Sequence, residues 1–230
     1  MKVIYLVRHG QASFGADNYD KLSPLGHQQS AHVGQWLTEK TSVPDALFSG
    51  SLVRQRETLQ ASLTALEQQV KDSRGAPSPI QHDGWNEFDH TAVVRAAMAQ
   101  RGLSRDELYG LNDDALMALF AEGMALWLTE GQSERFAESW PAFTERVWQA
   151  FSHCLEQTEE VGVVFSSGGP IATVLGRIWQ LPTERVQRLS WTLVNASVSK
   201  ILIGRQGPTV ASFNEQHHLE RAGKHFITYK

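Results

Sequence analysis

Residues 3–13 read VIYLVRHGQAS. Val3-Ile4-Tyr5-Leu6-Val7 is apolar enough to be buried on both faces of a sheet, the pattern of strands in parallel α/β sheets. The run stops abruptly at Arg8-His9-Gly10. A buried strand that delivers a guanidinium and an imidazole at its tip places two polar groups where the core has no use for them. Groups from elsewhere in the chain must account for the pair.

Working outward, Ser23-Pro24 reads as a helix opening, Ser as cap and Pro in the first turn, with Leu25, Gln29, Val33, Trp36 and Leu37 on the inner face. Asp45-Ala46-Leu47-Phe48-Ser49 reads as a second short strand. A helix is expected from about Ser51, with Leu52, Leu59, Leu63, Leu66 and Val70 along one stripe. Residues 72–79, DSRGAPSP, form a loop, and a short strand over 79–82 leads into DGWNEFDH. Residues 91–157 read as helical throughout, ending on a stripe of Phe143, Val147, Ala150, Phe151 and Cys154. VGVVF, 161–165, is a further buried strand. The turn SSGGP follows it and opens a helix with Ile171, Val174, Leu175 and Ile178 inward. Strands over about 197–203 and 209–214 close the chain.

Strands alternating with helices predict an α/β fold, a three-layer sandwich on a mostly parallel central sheet. The expectation is one domain over 1–230, with a helical insertion at roughly 91–140 lying over the active-site end of the sheet.

The chain has 230 residues, 41% of them hydrophobic, and a formal net charge of −4. No overall basic field exists to draw in nucleic acid or an anionic membrane, so any anion must be gripped locally. The lone cysteine, Cys154, allows no internal disulfide and fits a reducing cytoplasm. The first apolar run is too short for a signal peptide or a membrane span. The histidines show no metal-ligand spacing, and no cofactor is expected.

In open α/β sheets, ligands sit beyond the carboxyl ends of the strands. Three features fall there. One is Arg8-His9-Gly10. Another is Arg54, in the first turn of the helix after LFSGS, where a cation opposes the helix dipole and makes sense if a bound anion shares the site. The third is SSGGP, a glycine turn that offers free N–H groups at a helix start. Two arginines, a histidine and a helix N-terminus on one edge describe a phosphate pocket.

LVRHGQAS resembles the signature of the histidine phosphatase superfamily, also called the phosphoglycerate mutase-like family. LSPLGHQQS, LFSGSLVRQRETL, WNEFD, VVFSSGGPIA, NASVSKILI and SFNEQHHL resemble its later segments in the right order. The resemblance implies a phosphoglycerate mutase-like fold. It also implies His9 as nucleophile, Arg8 and Arg54 as clamps on the phosphoryl oxygens, and Glu87 as general acid. Asp83 and Asp89 compete for that last role, and Arg56 is read as surface.

At the position where the family carries a second histidine, this chain has Ser167, next to Gly168. A serine hydroxyl donates to phosphate as a neutral group. Hydrogen bonds to charged groups are worth roughly 1.5–3 kcal/mol against about 1 for neutral ones, so the deficit is on the order of tenfold in rate. Ser167 is read either as a phosphate contact or as a turn residue satisfying backbone. His90 is the candidate substitute imidazole at the substrate, ahead of His217 and His218.

The expected activity is metal-independent hydrolysis of a phosphomonoester through a phosphohistidine, on a small phosphorylated substrate or a phosphopeptide. The alternatives are mutase-type phosphoryl transfer and a phosphate-binding pseudoenzyme lacking the second histidine. A serine hydrolase built on Ser167 fails because its elbow needs glycine where Phe165 stands. The oligomeric state stays open, a homodimer included.

Overall fold

The computed structural model describes residues 1–13, 20–40, 43–69 and 75–229. Val70 and the loop residues 72–74 lie outside them. In chain order the elements are β1 (Lys2–Arg8), α1 (Pro24–Lys40), β2 (Ala46–Ser49), α2 (Val53–Gln69), β3 (Ile80–Gln81), α3 (His90–Arg101), α4 (Arg105–Tyr109), α5 (Asp113–Glu130) and α6 (Trp140–Gln157). They continue with β4 (Val161–Ser166), α7 (Gly168–Ile178), α8 (Thr183–Thr192), β5 (Val198–Gly204), β6 (Gly207–Glu215) and α9 (His217–Ala222). Two compact units are distinct: residues 1–86 with 147–230, and residues 87–146.

The first unit holds a six-stranded sheet in the order β3-β2-β4-β1-β5-β6. The strands β3, β2, β4 and β1 run parallel, and β5 pairs antiparallel with both β1 and β6. The apolar run of β1 explains its central place. Side chains alternate between faces. Tyr5 and Val7 join Val33, Trp36, Leu37, Leu59, Leu63 and Leu66 of α1 and α2 in one core. Ile4 and Leu6 point the other way and are fully buried, as are Phe48 and Val164 in the row of Leu6. The sheet is therefore covered on both faces, as its composition predicts.

Ser23 caps α1, its hydroxyl accepting the Gly26 N–H at 3.0 Å. The third letter of Arg-His-Gly also has a packing reason. A Cβ on Gly10 would stand 2.4 Å from the Gly26 carbonyl oxygen, so the backbone beyond β1 passes against the start of α1 with no room for a side chain. Cys154 is buried on the expected α6 stripe, and burial pushes its thiol up to about 12, which leaves it unreactive.

The second unit is helical, but the single run expected over 91–157 is broken by caps. Asp89 accepts the Ala92 N–H at 3.0 Å to open α3, and Gly102, at φ 66°, ends it in the left-handed conformation. Ser104 and Glu107 form a capping box on α4, and Asn112 caps α5. Ala97, Met98 and Leu119 make a small apolar core there. Phe88 stacks on Trp127 with centroids 4.9 Å apart, and Trp140 meets Trp127 edge-on at 5.4 Å. No helix among the described residues is long and apolar enough to cross a membrane.

Candidate active site

Parallel pairing brings three strand tips to one edge. Val7, Phe165 and Ser49 lie in one row, and Arg8 pairs with Ser166. His9 follows at once, its N–H donating to the Ser166 carbonyl at 2.8 Å. The residue is only 5% exposed. Nδ1 lies 2.7 Å from the Gly10 carbonyl oxygen. A carbonyl only accepts, so Nδ1 carries the proton and Nε2 keeps its lone pair. Burial, then the Arg54 charge, then the Arg8 charge hold the ring well below the usual histidine pKa; the Gly10 carbonyl opposes them without prevailing. The imidazole at the strand tip is thus neutral, with the Nε2 lone pair unprotonated.

Both arginines are tethered. Arg8 donates from Nη1 to the Leu193 carbonyl and from Nη2 to the Tyr229 carbonyl at 3.1 Å. Arg54 is 6% exposed, and its Nη1 lies 2.6 Å from Asp20 Oδ1. The other oxygen of Asp20 accepts the Val53 N–H at 2.8 Å. The anion expected at the start of α2 is therefore supplied by the chain itself. Thr58, one turn on, accepts the Gly10 N–H at 3.0 Å and donates to the Arg54 carbonyl at 2.7 Å, which locks the first turn of α2 to the histidine loop.

Ser167 is fully buried and caps α7 without a side-chain hydrogen bond to the helix. That removes the reading of a turn residue satisfying backbone. Its hydroxyl instead accepts from Gln55 Nε2 at 2.8 Å. The same Nε2 donates to the Trp85 carbonyl at 2.9 Å, and Ser166 donates to that carbonyl at 2.7 Å. Gly168 follows Ser167 close to Arg8; a Cβ there would lie 3.9 Å from Arg8 Nε. Asn86 completes the fastening: Oδ1 accepts the Ser51 N–H and Nδ2 donates to the Ser51 hydroxyl, both at 2.8 Å. The segment that ends at Asn86 is thus tied to the tips of β4 and β2.

Glu87 and His90 belong to the second unit, Glu87 being the residue next to Asn86. Its carboxylate accepts the Phe88 N–H at 3.2 Å, and His90 is the first residue of α3. Asp89 is spent on capping. Burial works to raise its pKa, but hydrogen bonds from Thr91 and Ala92 and the Arg95 charge outweigh it and hold it below the usual carboxylate value. That suits a cap and not an acid. His217 and His218 do not substitute at Ser167. His217 is exposed beside Glu220, and the His218 ring is bonded to the Ala196 carbonyl. Arg56 is exposed, as expected.

The sequence profile of the histidine phosphatase superfamily (branch 1) matches residues 4–90 and 94–216. The chain belongs to that superfamily. Phosphoglycerate mutase 1 of Saccharomyces cerevisiae is 36% identical over 69 residues, a stretch covering 27% of this chain and 28% of that protein. Among solved structures, YhfR of Bacillus stearothermophilus superposes with a TM-score of 0.66 at 18% identity, over 95% of this chain and 100% of that one. A phosphoserine phosphatase from Entamoeba histolytica, in complex with 3-phosphoglyceric acid, gives 0.62 at 19% identity, over 95% and 100%. A phosphoglycerate mutase from Bacillus anthracis gives 0.61 at 18% identity, over 96% of each chain. At such identities these likenesses establish the fold, and the α/β architecture is that of the superfamily.

Within this histidine phosphatase fold, sequence reading missed Asp20, Gln55 and Thr58. Thr58 carries a local signal, since it lies one helical turn after Arg54. Asp20 and Gln55 carry none, because each acts across the fold on a residue 34 or 112 positions away.

Proposed function

We propose that the protein hydrolyses a phosphomonoester through a phosphohistidine on His9, the substrate being a small phosphorylated metabolite or a phosphopeptide. The observation that carries this reading is the contact between His9 Nδ1 and the Gly10 carbonyl, which leaves Nε2 unprotonated in a cationic surround. In the first step the Nε2 lone pair forms a P–N bond while the P–O bond to the alcohol breaks. Glu87 gives its proton to the leaving oxygen. In the second step the Glu87 carboxylate takes a proton from water, the water oxygen bonds to phosphorus, and the P–N bond breaks to return neutral His9.

Arg8 and Arg54 neutralise the phosphoryl oxygens, with the Ser167 hydroxyl and the Gly168 N–H as further donors. Phosphoryl transfer asks chiefly for such positioning and charge stabilisation. Planar, permanently charged guanidinium groups suit it. The assignment of Glu87 rests on its place in WNEFD, supported by the fastening of Trp85 and Asn86 and by the capping duty of Asp89. His90 is the sequence candidate for a contact to the rest of the substrate. The scheme uses no metal, and a cytoplasmic setting suits a chain with a single buried thiol.

Rapid quenching with phosphate-labelled substrate should trap label on the protein that is acid-labile and alkali-stable. His9→Ala should lose both label and turnover. Full phosphatase activity in the alanine variant would overturn the reading. Transfer of the label to a second substrate molecule instead of water would assign a mutase, the alternative favoured by the 69-residue likeness to the yeast enzyme.

A further inference from the structure

Ala196 adopts φ 58°, the left-handed region that favours glycine. It is the third residue of a turn closed by the Ser197 N–H on the Val194 carbonyl at 3.0 Å, the position at which turns with one positive φ prefer Gly or Asn. Strain of this kind persists only where surrounding structure enforces it. The turn grips the end of β1 from the β5 side. Arg8 N–H donates to the Ser197 carbonyl at 3.0 Å, and Ala196 N–H donates to the His9 carbonyl at 3.1 Å. Asn195 Nδ2 reaches the same His9 carbonyl at 3.3 Å. Asn195 is itself held, its Oδ1 accepting from the Thr228 hydroxyl at 2.9 Å.

The outward side of the strained residue is held by one side chain. His218 Nε2 lies 2.9 Å from the Ala196 carbonyl oxygen. The carbonyl only accepts, so Nε2 carries the proton, and Nδ1 has no hydrogen-bond partner among the described residues. His218 is 9% exposed and packs against Trp36 with ring centroids 5.9 Å apart. The ring is therefore a neutral, fixed donor aimed at one peptide.

We propose that His218 is a positioning residue for the nucleophile: its Nε2–H holds the Ala196 peptide in the left-handed turn, whose N–H fixes the His9 backbone and with it the aim of the imidazole. The proposal rests on the assignment of His9 as nucleophile for its kinetic readout and on geometry alone for its spectroscopic one. It makes His218 the far end of a chain running His218 to Ala196 to His9, with no contact to substrate.

The test compares His218→Gln, which keeps an N–H donor, with His218→Phe, which keeps bulk and loses the donor. His218→Met replaces the latter if the phenylalanine protein does not fold. With p-nitrophenyl phosphate as probe, the apolar variant should lose about tenfold in kcat with KM within twofold. His218→Gln should stay within threefold of the parent. Ala196→Gly should be near neutral in the parent and recover most of the loss in the apolar variant, because glycine holds the turn without strain.

Ring-nitrogen NMR of the substrate-free protein reads His9 directly. The parent and His218→Gln should show one Nδ1–H tautomer, and the apolar variant a broadened or mixed signal. An unchanged His9 signal and kcat in the apolar variant overturn the proposal. So does equal impairment of His218→Gln and His218→Phe, since packing would then be the agent. If the parent turns over no phosphate ester, the functional reading fails, while the NMR comparison still decides the role of His218.

Discussion

Asp20 holds Arg54 by an ion pair of 2.6 Å and, with its other oxygen, the first N–H of α2. One carboxylate thus aims the guanidinium and occupies the helix terminus that a phosphate would also favour. Asp20 acts on the site in two opposed ways, as a support for Arg54 and as a competing anion.

Replacing Asp20 with Asn separates the two effects. The amide oxygen can still accept from one partner, but the negative charge is gone. Inorganic phosphate and vanadate should inhibit Asp20→Asn several-fold more tightly, and kcat should fall by about tenfold as the charge-assisted tether weakens. Inhibition constants and turnover both unchanged would show that the pair has no part in the site.

If His9 is the nucleophile proposed above, its lowered pKa sets the acid limb of activity. Protonation at Nε2 abolishes the nucleophile, and the pKa is held well below the ordinary value of 6.5. The profile of kcat/KM, which reports free-enzyme groups, should stay flat through pH 6.5 and bend only well below it. NMR titration of the ring should show the same late protonation. A His9 midpoint at or above 6.5 contradicts the burial and the two flanking guanidinium charges.

His218 makes stability depend on pH. Burial lowers its pKa from 6.5 to about 4, the Ala196 hydrogen bond opposing that shift and nearby His32 and His217 adding to it. The unfolded chain therefore binds a proton first as pH falls. Stability is full above about 6.5, declines towards 4 and then levels. The share of His218 is on the order of 3 kcal/mol at 1.36 kcal/mol per unit. Urea unfolding of His218→Gln should lose that part of the slope between the two pH values, with the His9 contribution remaining. An unaltered slope removes His218 as its source.

Ser167 is packed without exposure under Gln55. Ser167→His asks for imidazole volume where the Gln55 amide stands, and overpacking of this kind costs about 1–3 kcal/mol. The single variant should lower Tm and kcat together. Adding Gln55→Ala should return both towards the parent, a coupling measurable by a double-mutant cycle. An accelerated Ser167→His protein with unchanged Tm would instead make the serine a simple loss of a charged donor.

The proposed acid role of Glu87 is testable against Asp89. Glu87→Gln should slow turnover by about 10²–10⁴ on substrates with poor leaving groups and by much less on p-nitrophenyl phosphate, whose phenolate needs little proton help. Asp89→Asn keeps a capping oxygen and should change neither rate by more than about twofold. Rate profiles across leaving-group pKa for both variants make the comparison.

The local grammar of this chain is legible in its sequence. An unbroken apolar run makes β1 an interior strand because both its faces need cover. Ser23-Pro24 starts α1 where a hydroxyl can meet orphaned N–H groups, and the stripe through Phe143, Val147, Phe151 and Cys154 tells α6 which side to bury. Arg8-His9-Gly10 at a strand end, with the later segments in order, points to the superfamily that the profile match establishes. Even the breaks in the expected long helix are written locally, in Asp89, Gly102, Ser104 and Asn112. They escape a reading by periodicity because the helical pattern continues across them.

The supports of the site are of another kind. Asp20 on Arg54, Gln55 on Ser167 and His218 on Ala196 each join positions 34, 112 and 22 residues apart. Such pairs leave no periodicity and no spacing in the chain. Asp20 reads as an ordinary acid before a helix, and His218 as a spare imidazole near the end. Only packing the strands in the order β3-β2-β4-β1-β5-β6 brings these groups to one edge. Periodic burial sets the elements of this protein, and long-range hydrogen bonds, formed once those elements are packed, set the aim of its histidine.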